Sequence, residues 1–498
     1  MADKTWVGGT SDDAAVDANW SPSGVPASND KVTIPDASTT SNDCRLTAAT
    51  SWGTLGIETN GILVGNGQTL TLNGGVNDGG TAADFNYTDA GQTTNVSGNL
   101  DITMRNLRSS GDRAIITAAA NNIRNLKIDD FTADGGGTGK VYHFQCHLTI
   151  SGDLTVEYGE LNSAFSSTSY NLTVAGVTTI GDGTGGTPDE ATLTCNASTC
   201  SFGSGVTADY GILVKANGTF AGGTGTHTAG GFYMDQNAHA KATMTTDVMT
   251  INSEKTSANK AWRVEYGGDT FDNANGTVKF HLNGFQTRMS MRGASHANNA
   301  FHNLIIDADT SARQISPDNG TKIIVDDDLT ITNGKLVMGL SHALEVGGDV
   351  EIDDASGTAI LEMGASSNIS SQAATFGSLT IGGSGTYKAT SGTTTLTKDD
   401  TSQFIYETIS GGTFTHNSGT LTITGDGRVK PRAGTGNFNN VILNASGNTI
   451  EQGSDTTIDN DLTITAGEWS TGYSGFGYSN LTVTGDVDVT GTLTGNTS

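Results

Sequence analysis

"DLTITNGKL" at residues 328–336 is written almost unchanged at two other places, as "DLTVEYGEL" at 153–161 and "DLTITAGEW" at 461–469. In the first copy Leu329 and Ile331 are apolar, with Leu336 a candidate third, while Asp328, Thr330 and Thr332 are polar. Alternation at period two, rich in Thr, Ile and Val, marks a half-buried β-strand. The "TNG" and "TAG" that follow supply corners, where Gly334 and Gly467 are expected to take the positive φ that a tight turn requires.

The triplicate belongs to a longer recurrent course. Each copy is followed by a second block: "NLTVAGVTTI" at 171–180, "ALEVGGDVEI" at 343–352 and "NLTVTGDVDV" at 480–489. Each is preceded by a third: "IRNLKI" at 123–128, "FHNLII" at 301–306 and "FNNVIL" at 438–443. Two copies carry a fourth block further upstream, "TFDNANGTV" at 270–278 and "TFTHNSGTL" at 413–421. Order is kept throughout, which is the signature of a repeat architecture. No stretch combines 3.6-residue periodicity with helix caps, so the chain reads as all-β. The eight intervals between Leu304 and Leu481 in this series average about 22 residues. Hairpin sandwiches and up-and-down barrels place turns every ~8–12 residues instead. The expected fold is a right-handed parallel β-helix, or β-solenoid, with about 22 residues per coil and loops protruding where the intervals lengthen.

Composition agrees with a thin core and many corners. Of 498 residues, 68 are Gly and only 6 are Pro, and the apolar fraction is 35%. The formal charge of −27 repels phosphate backbones and anionic lipid, so nucleic acid is not an expected partner. No apolar run approaches the ~18–20 residues of a membrane span, and "MADKTWVGGTSDD" lacks the apolar core of a signal peptide, so folding in the cytosol is expected. Cys44, Cys146, Cys195 and Cys200 are too few for a disulfide framework. "CNASTC" at 195–200 could close one small loop or hold two reduced thiols, and reduced thiols are favoured.

Four sections are expected. Residues 1–35, with Trp20, Pro22, Pro26 and Pro35, form an N-terminal cap or attachment segment. Residues 36–189 form a first solenoid section, 190–265 an irregular section or large loops that include His227 and His239, and 266–498 a second solenoid section. The closing "NLTVTGDVDVTGTLTGNTS" keeps the strand pattern without a closing cap, and such an open coil invites a partner.

"NWSPSGVPASNDKVTIP" together with the "F-x-N-L-x-I" and "DLTI-x-x-G-x-L" blocks resembles the repetitive β-solenoid proteins of phage fibres, spikes and virion appendages and of bacterial surface adhesins. The resemblance implies a structural virion protein of a bacteriophage, a fibre, tail spike or decoration protein made in the host cytoplasm. It further implies a homotrimer, contacts with other virion proteins and a host-surface polysaccharide as a ligand. Its alternatives are a polysaccharide-degrading tail spike and an adhesin of the bacterial surface.

An enzyme of this class would need paired carboxylates. The candidates are Asp326, Asp327 and Asp328, the pair Asp129 and Asp130, and the pair Asp353 and Asp354. All fall at strand ends, where Asp also serves in turns, so no catalytic residue is assigned. Asp182, Asp189 and Glu190 in "GDGTGGTPDE" lack the spacing of a calcium loop, no zinc pattern accompanies the cysteines, and no cofactor motif occurs. Arg428, Lys430 and Arg432 in "RVKPR" form the one tight basic cluster, read as a solvated corner or as a pairing site for an acidic patch on a neighbouring subunit.

Overall fold

The computed structural model describes residues 2–495, apart from 59, 74–84, 88–95, 98, 106–112, 117–122, 130–140, 185–189, 204–209, 236–238, 254–259, 265–270, 284–285, 292–299, 311, 320–321, 355–358, 366–367, 433–435 and 474–476. The fold is about 60% strand and 2% helix, a β-solenoid of stacked parallel coils about 25 residues apart. Two compact units are present: Met1–Met249 with Val264–Ala274, and Thr250–Arg263 with Asn275–Ser498.

The coil begun by the opening motif shows the plan. Leu329–Ile331, Gly334–Met338 and Ala343–Val346 are three short strands of one turn, and Asp349–Asp354 starts the next. Each strand points alternate residues inward, as the period of a pleated strand requires: Leu329, Ile331, Leu336 and Met338 are fully buried, and Leu344 and Val346 are 1% exposed. Stacking aligns these residues in columns. Leu304 pairs with Leu329, Leu329 with Val350, Val350 with Leu379 and Leu379 with Tyr406. The spacings along that column, taken from those pairings, are 25, 21, 29 and 27 residues; three of the four exceed the expected 22, because those coils carry extra residues at their corners. Some extras form small antiparallel hairpins, as at Ala164–Phe165 with Thr168–Ser169 and at Gly472–Tyr473 with Gly477–Tyr478.

The repeated glycine makes the same corner three times. Gly159, Gly334 and Gly467 have φ of 84°, 84° and 86°, where a side chain on Cα would be strained. The turn redirects the chain so that Leu161, Leu336 and Trp469 fall inward, all at 0% exposure.

Residues 190–265, expected as an irregular section or large loops, contain the following strands among the described residues. Ala191–Thr194, Cys200–Phe202, Ile212–Val214, Gly218–Gly223, His227–Ala229 and Phe232–Met234 are strands in parallel register with the coils beside them. Here the inward columns use Cys200, Phe202, Phe220, His227, Phe232 and Met234 in place of Leu and Ile, and all are at most 4% exposed. Phe220 meets Phe202 and Phe232 edge to face at 6.1 and 6.2 Å, a favoured aromatic geometry.

At the first coil, Asp3–Trp6 pairs in parallel with Lys31–Ile34 on one side and antiparallel with Trp20–Ser21 on the other. Trp20–Ser21 thus lies along an edge that Asp3–Trp6 would otherwise present. Pro22 follows directly, and its missing N–H suits an edge position. Trp20 packs edge-on between Trp6 and Trp52, with centroids 5.1 and 5.8 Å away. The Asn19 side chain is fully buried and anchors the preceding loop, accepting from the Thr10 N–H at 2.9 Å and donating to the Asp13 carbonyl at 2.9 Å.

Candidate functional site

The Asp that opens each "DLT" block is a rung between coils. Its backbone N–H donates to an Asn side chain one coil earlier: Asp153 to Asn125 at 2.8 Å, Asp328 to Asn303 at 3.1 Å and Asp461 to Asn440 at 3.2 Å. Its carboxylate accepts a backbone N–H one coil later: from Val177 at 2.8 Å, Asp349 at 2.8 Å and Asp486 at 2.9 Å. Each set of repeated blocks therefore contains successive members of a hydrogen-bonded ladder. The residue before each donating N–H is glycine because the carboxylate sits against it. A Cβ on Gly176, Gly348 or Gly485 would lie 2.2, 2.4 or 2.4 Å from the Asp oxygen.

This geometry decides how the other candidate carboxylates are placed. Beside Asp328, the Asp327 N–H donates to the His302 carbonyl at 2.9 Å and the Asp326 N–H to the Phe301 carbonyl at 2.8 Å. The three are consecutive corner residues stitched to the previous coil. Asp129 is 5% exposed and takes both the Nε and an Nη of Arg105, at 2.9 and 2.7 Å; Asp130 lies outside the described residues. Asp353 covers Gly382, whose Cβ position is 2.8 Å from the Asp353 carboxyl carbon; nothing is described of the Asp354 side chain. Asp182 caps its own turn by accepting from the Thr184 N–H at 2.9 Å. Asp189 lies outside the described residues, and Glu190 approaches Lys241 at 3.8 Å. Among the described residues no three His, Cys, Asp or Glu side chains gather as a metal site.

The basic cluster is engaged within its own chain. Arg428 pairs with Glu451 at 3.3 Å and lies 4.0 Å above the Tyr473 ring. Lys430 pairs with Glu407 at 2.8 Å, and Arg432 donates to the Ser410 hydroxyl at 3.1 Å. Arg428 and Glu451 are strand neighbours in adjacent coils, as are Glu407 and Lys430. These are outward cross-strand pairs. The sequence does not display them, because their members lie 23 residues apart.

One surface differs from the rest. In the last described coil Val487, Val489 and Leu493 continue the inward columns of Leu462, Ile464 and Trp469. The earlier three are fully buried, yet Val487, Val489 and Leu493 are 49%, 40% and 39% exposed. Their strands, Val487–Val489 and Thr492–Thr494, pair on one side only among the described residues.

Comparisons of the chain with protein-family models, with curated proteins and with solved structures find no match.

Proposed function

We propose that the chain is a structural protein of a bacteriophage virion, a fibre, spike or decoration component that joins its own copies, as a trimer, or other virion proteins through the edge of its last described coil. The carrying observation is that coil: apolar residues in the inward columns left about 40–50% exposed, beside strands that pair on one side only among the described residues. The virion assignment rests on the resemblance of the repeated blocks. The structural role is supported by the rungs, in which the carboxylate of one candidate acidic residue, Asp328, holds adjacent coils together. Outward faces rich in Thr, Asn and Asp suit a host-surface glycan as a further ligand.

Light scattering on the full chain and on the double variant Val487→Asp/Val489→Asp tests the assembly. Both positions are largely solvent-facing in the single chain, so the variant should fold. The expected result is an oligomer that the variant dissociates; a monomeric full chain overturns the reading. The virion assignment is tested by a search for the chain's peptides in purified particles from its source. Their restriction to the cell envelope would place the protein on the bacterial surface instead.

A further inference from the structure

The corner between the strands Gly334–Met338 and Ala343–Val346 is packed the wrong way round for its residues. In "GLSH" at 339–342 the apolar Leu340 is 51% exposed, whereas His342 is only 7% exposed. Ile369, on the antiparallel hairpin of the following coil, is 47% exposed. The Ser370 hydroxyl beside it donates to the Leu340 carbonyl at 3.2 Å, so the two exposed apolar residues sit at one corner of adjacent coils.

Burial leaves the imidazole unpaired. Neither ring nitrogen of His342 has a hydrogen-bond partner among the described residues, an arrangement that folded chains normally avoid. Close packing holds the ring in: a Cβ on Gly339 would lie 2.6 Å from its Nδ1, so only glycine there leaves room for the inward ring. The His342 N–H closes the turn by donating to the Gly339 carbonyl at 3.1 Å.

The charges around the ring do not offer it a free partner. On the preceding coil Asp318 attracts a proton to the ring, but its carboxylate is held by Arg288 at 2.6 Å. On the following coil Ser370 is neutral, with its hydroxyl engaged by the Leu340 carbonyl and by the Gln372 N–H at 3.1 Å. Glu362, on the strand Ala359–Ala365, pairs with Lys388 at 3.3 Å. On the strands that flank the corner, Lys335 and Glu345 alternate outward, and Glu345 pairs with Lys322. Burial outweighs Asp318 and lowers the imidazole below its ordinary value.

We propose that the corner 339–342 is an acid-operated switch, in which His342 takes a proton, leaves its buried seat for solvent and opens the Gly339–His342 turn. Protonation in place would bury a charge whose counter-charge, Asp318, is already shared with Arg288. In water the ring has its ordinary value of about 6.5, so the open corner binds the proton more readily than the closed one. The closed form is therefore fully stable above that value and loses stability as pH falls below it. Leu340 lies between the two turn residues, so opening also parts it from Ile369 and dismantles the exposed apolar pair.

Amide hydrogen exchange of the folded full chain tests this, read by mass spectrometry at about pH 7.5 and about pH 5.0 and corrected for the intrinsic rate. The expected result is loss of protection at the His342 amide at the lower pH, while the amides of Leu329–Ile331 in the same coil keep theirs. His342→Phe and His342→Gln, one apolar and one polar but neither able to take a proton, should both remove the pH dependence. Gly339→Ala should displace the ring and leave the corner unprotected at both pH values. Equal protection of the wild-type corner at the two pH values would overturn the proposal. So would a pH-dependent loss that persists in both His342 variants, or a Gly339→Ala corner as well protected as the wild type at neutral pH.

Discussion

The Asp328 carboxylate accepts the backbone N–H of Asp349, one coil on, at 2.8 Å. The donor of one rung is the acceptor of the next, because the Asp349 carboxylate in turn accepts from the Ser378 hydroxyl at 2.8 Å and from Lys398 at 2.7 Å. Asp328→Ala should therefore destabilise the fold by about 1 kcal/mol, the net worth of one partly solvated hydrogen bond, and Asp328→Asn by less, since an acceptor oxygen remains. Urea unfolding gives both values. No reducing ends should be released from bacterial capsule or exopolysaccharide by the wild-type chain. Release that disappears in Asp326→Asn, Asp327→Asn or Asp328→Asn would reassign these residues to catalysis.

Leu329 is fully buried and Thr330, one residue on, is half-buried on the outer face. Leu329→Asp puts an unpaired carboxylate into the Leu304–Leu329–Val350 column and should cost more than about 3 kcal/mol. Thr330→Asp should stay within about 1 kcal/mol. Equal losses in thermal or urea unfolding would mean that the strand faces are reversed.

Gly348 has no room for a methyl group. A Cβ there would meet the Asp328 carboxylate at 2.4 Å and the Asp327 carbonyl at 2.8 Å. Gly348→Ala should cost about 1–3 kcal/mol, whereas Gly9→Ala, with its nearest neighbour at 3.8 Å, should cost about 0.5 or less. In an Asp328→Ala background the first of the two contacts is gone, so the Gly348→Ala penalty should shrink without vanishing. Additive penalties in that double-mutant cycle would separate the glycine from the rung.

Burial works to raise the Asp307 carboxyl, but Lys279 at 2.7 Å and His281 at 3.5 Å outweigh it and hold the group below its ordinary value. A carboxyl that titrates lower in the folded chain stabilises fully above its unfolded value of about 3.9. That contribution disappears as pH falls through the lower folded value. Asp307→Asn should thus flatten the acid limb of a stability-versus-pH curve below about pH 4 and lower stability at neutral pH. An unchanged acid limb in the variant would remove Asp307 from the acid response.

The parts of the fold that could be read from the chain are those with a local signal. Alternation marked Leu329 and Ile331 as inward, and "TNG" and "TAG" marked the positive-φ corners that Gly334 and Gly467 occupy. In the stretch 190–265 the inward columns include His227, Phe232 and Met234, and stacking against Cys200, Ile212 and Val214 makes them inward positions. Asp328 was recognised as a corner residue, but its carboxylate's partner lies 21 residues away and belongs to a different coil. The ion pairs of Arg428 and Lys430 were hidden for the same reason, since a coil's length separates each from its mate.

The rungs also make the coil a unit of exchange. Excising 328–348 would join Asp327 to Asp349 and set "DVEI" where "DLTI" had been. Asp349 would then present its N–H to Asn303 as Asp328 does, Val350 and Ile352 would lie over Leu304 and Ile306, and the Asp349 carboxylate would keep Ser378. The protein is built so that its length can change in whole turns, like links taken from a chain, with both cut ends already shaped to meet.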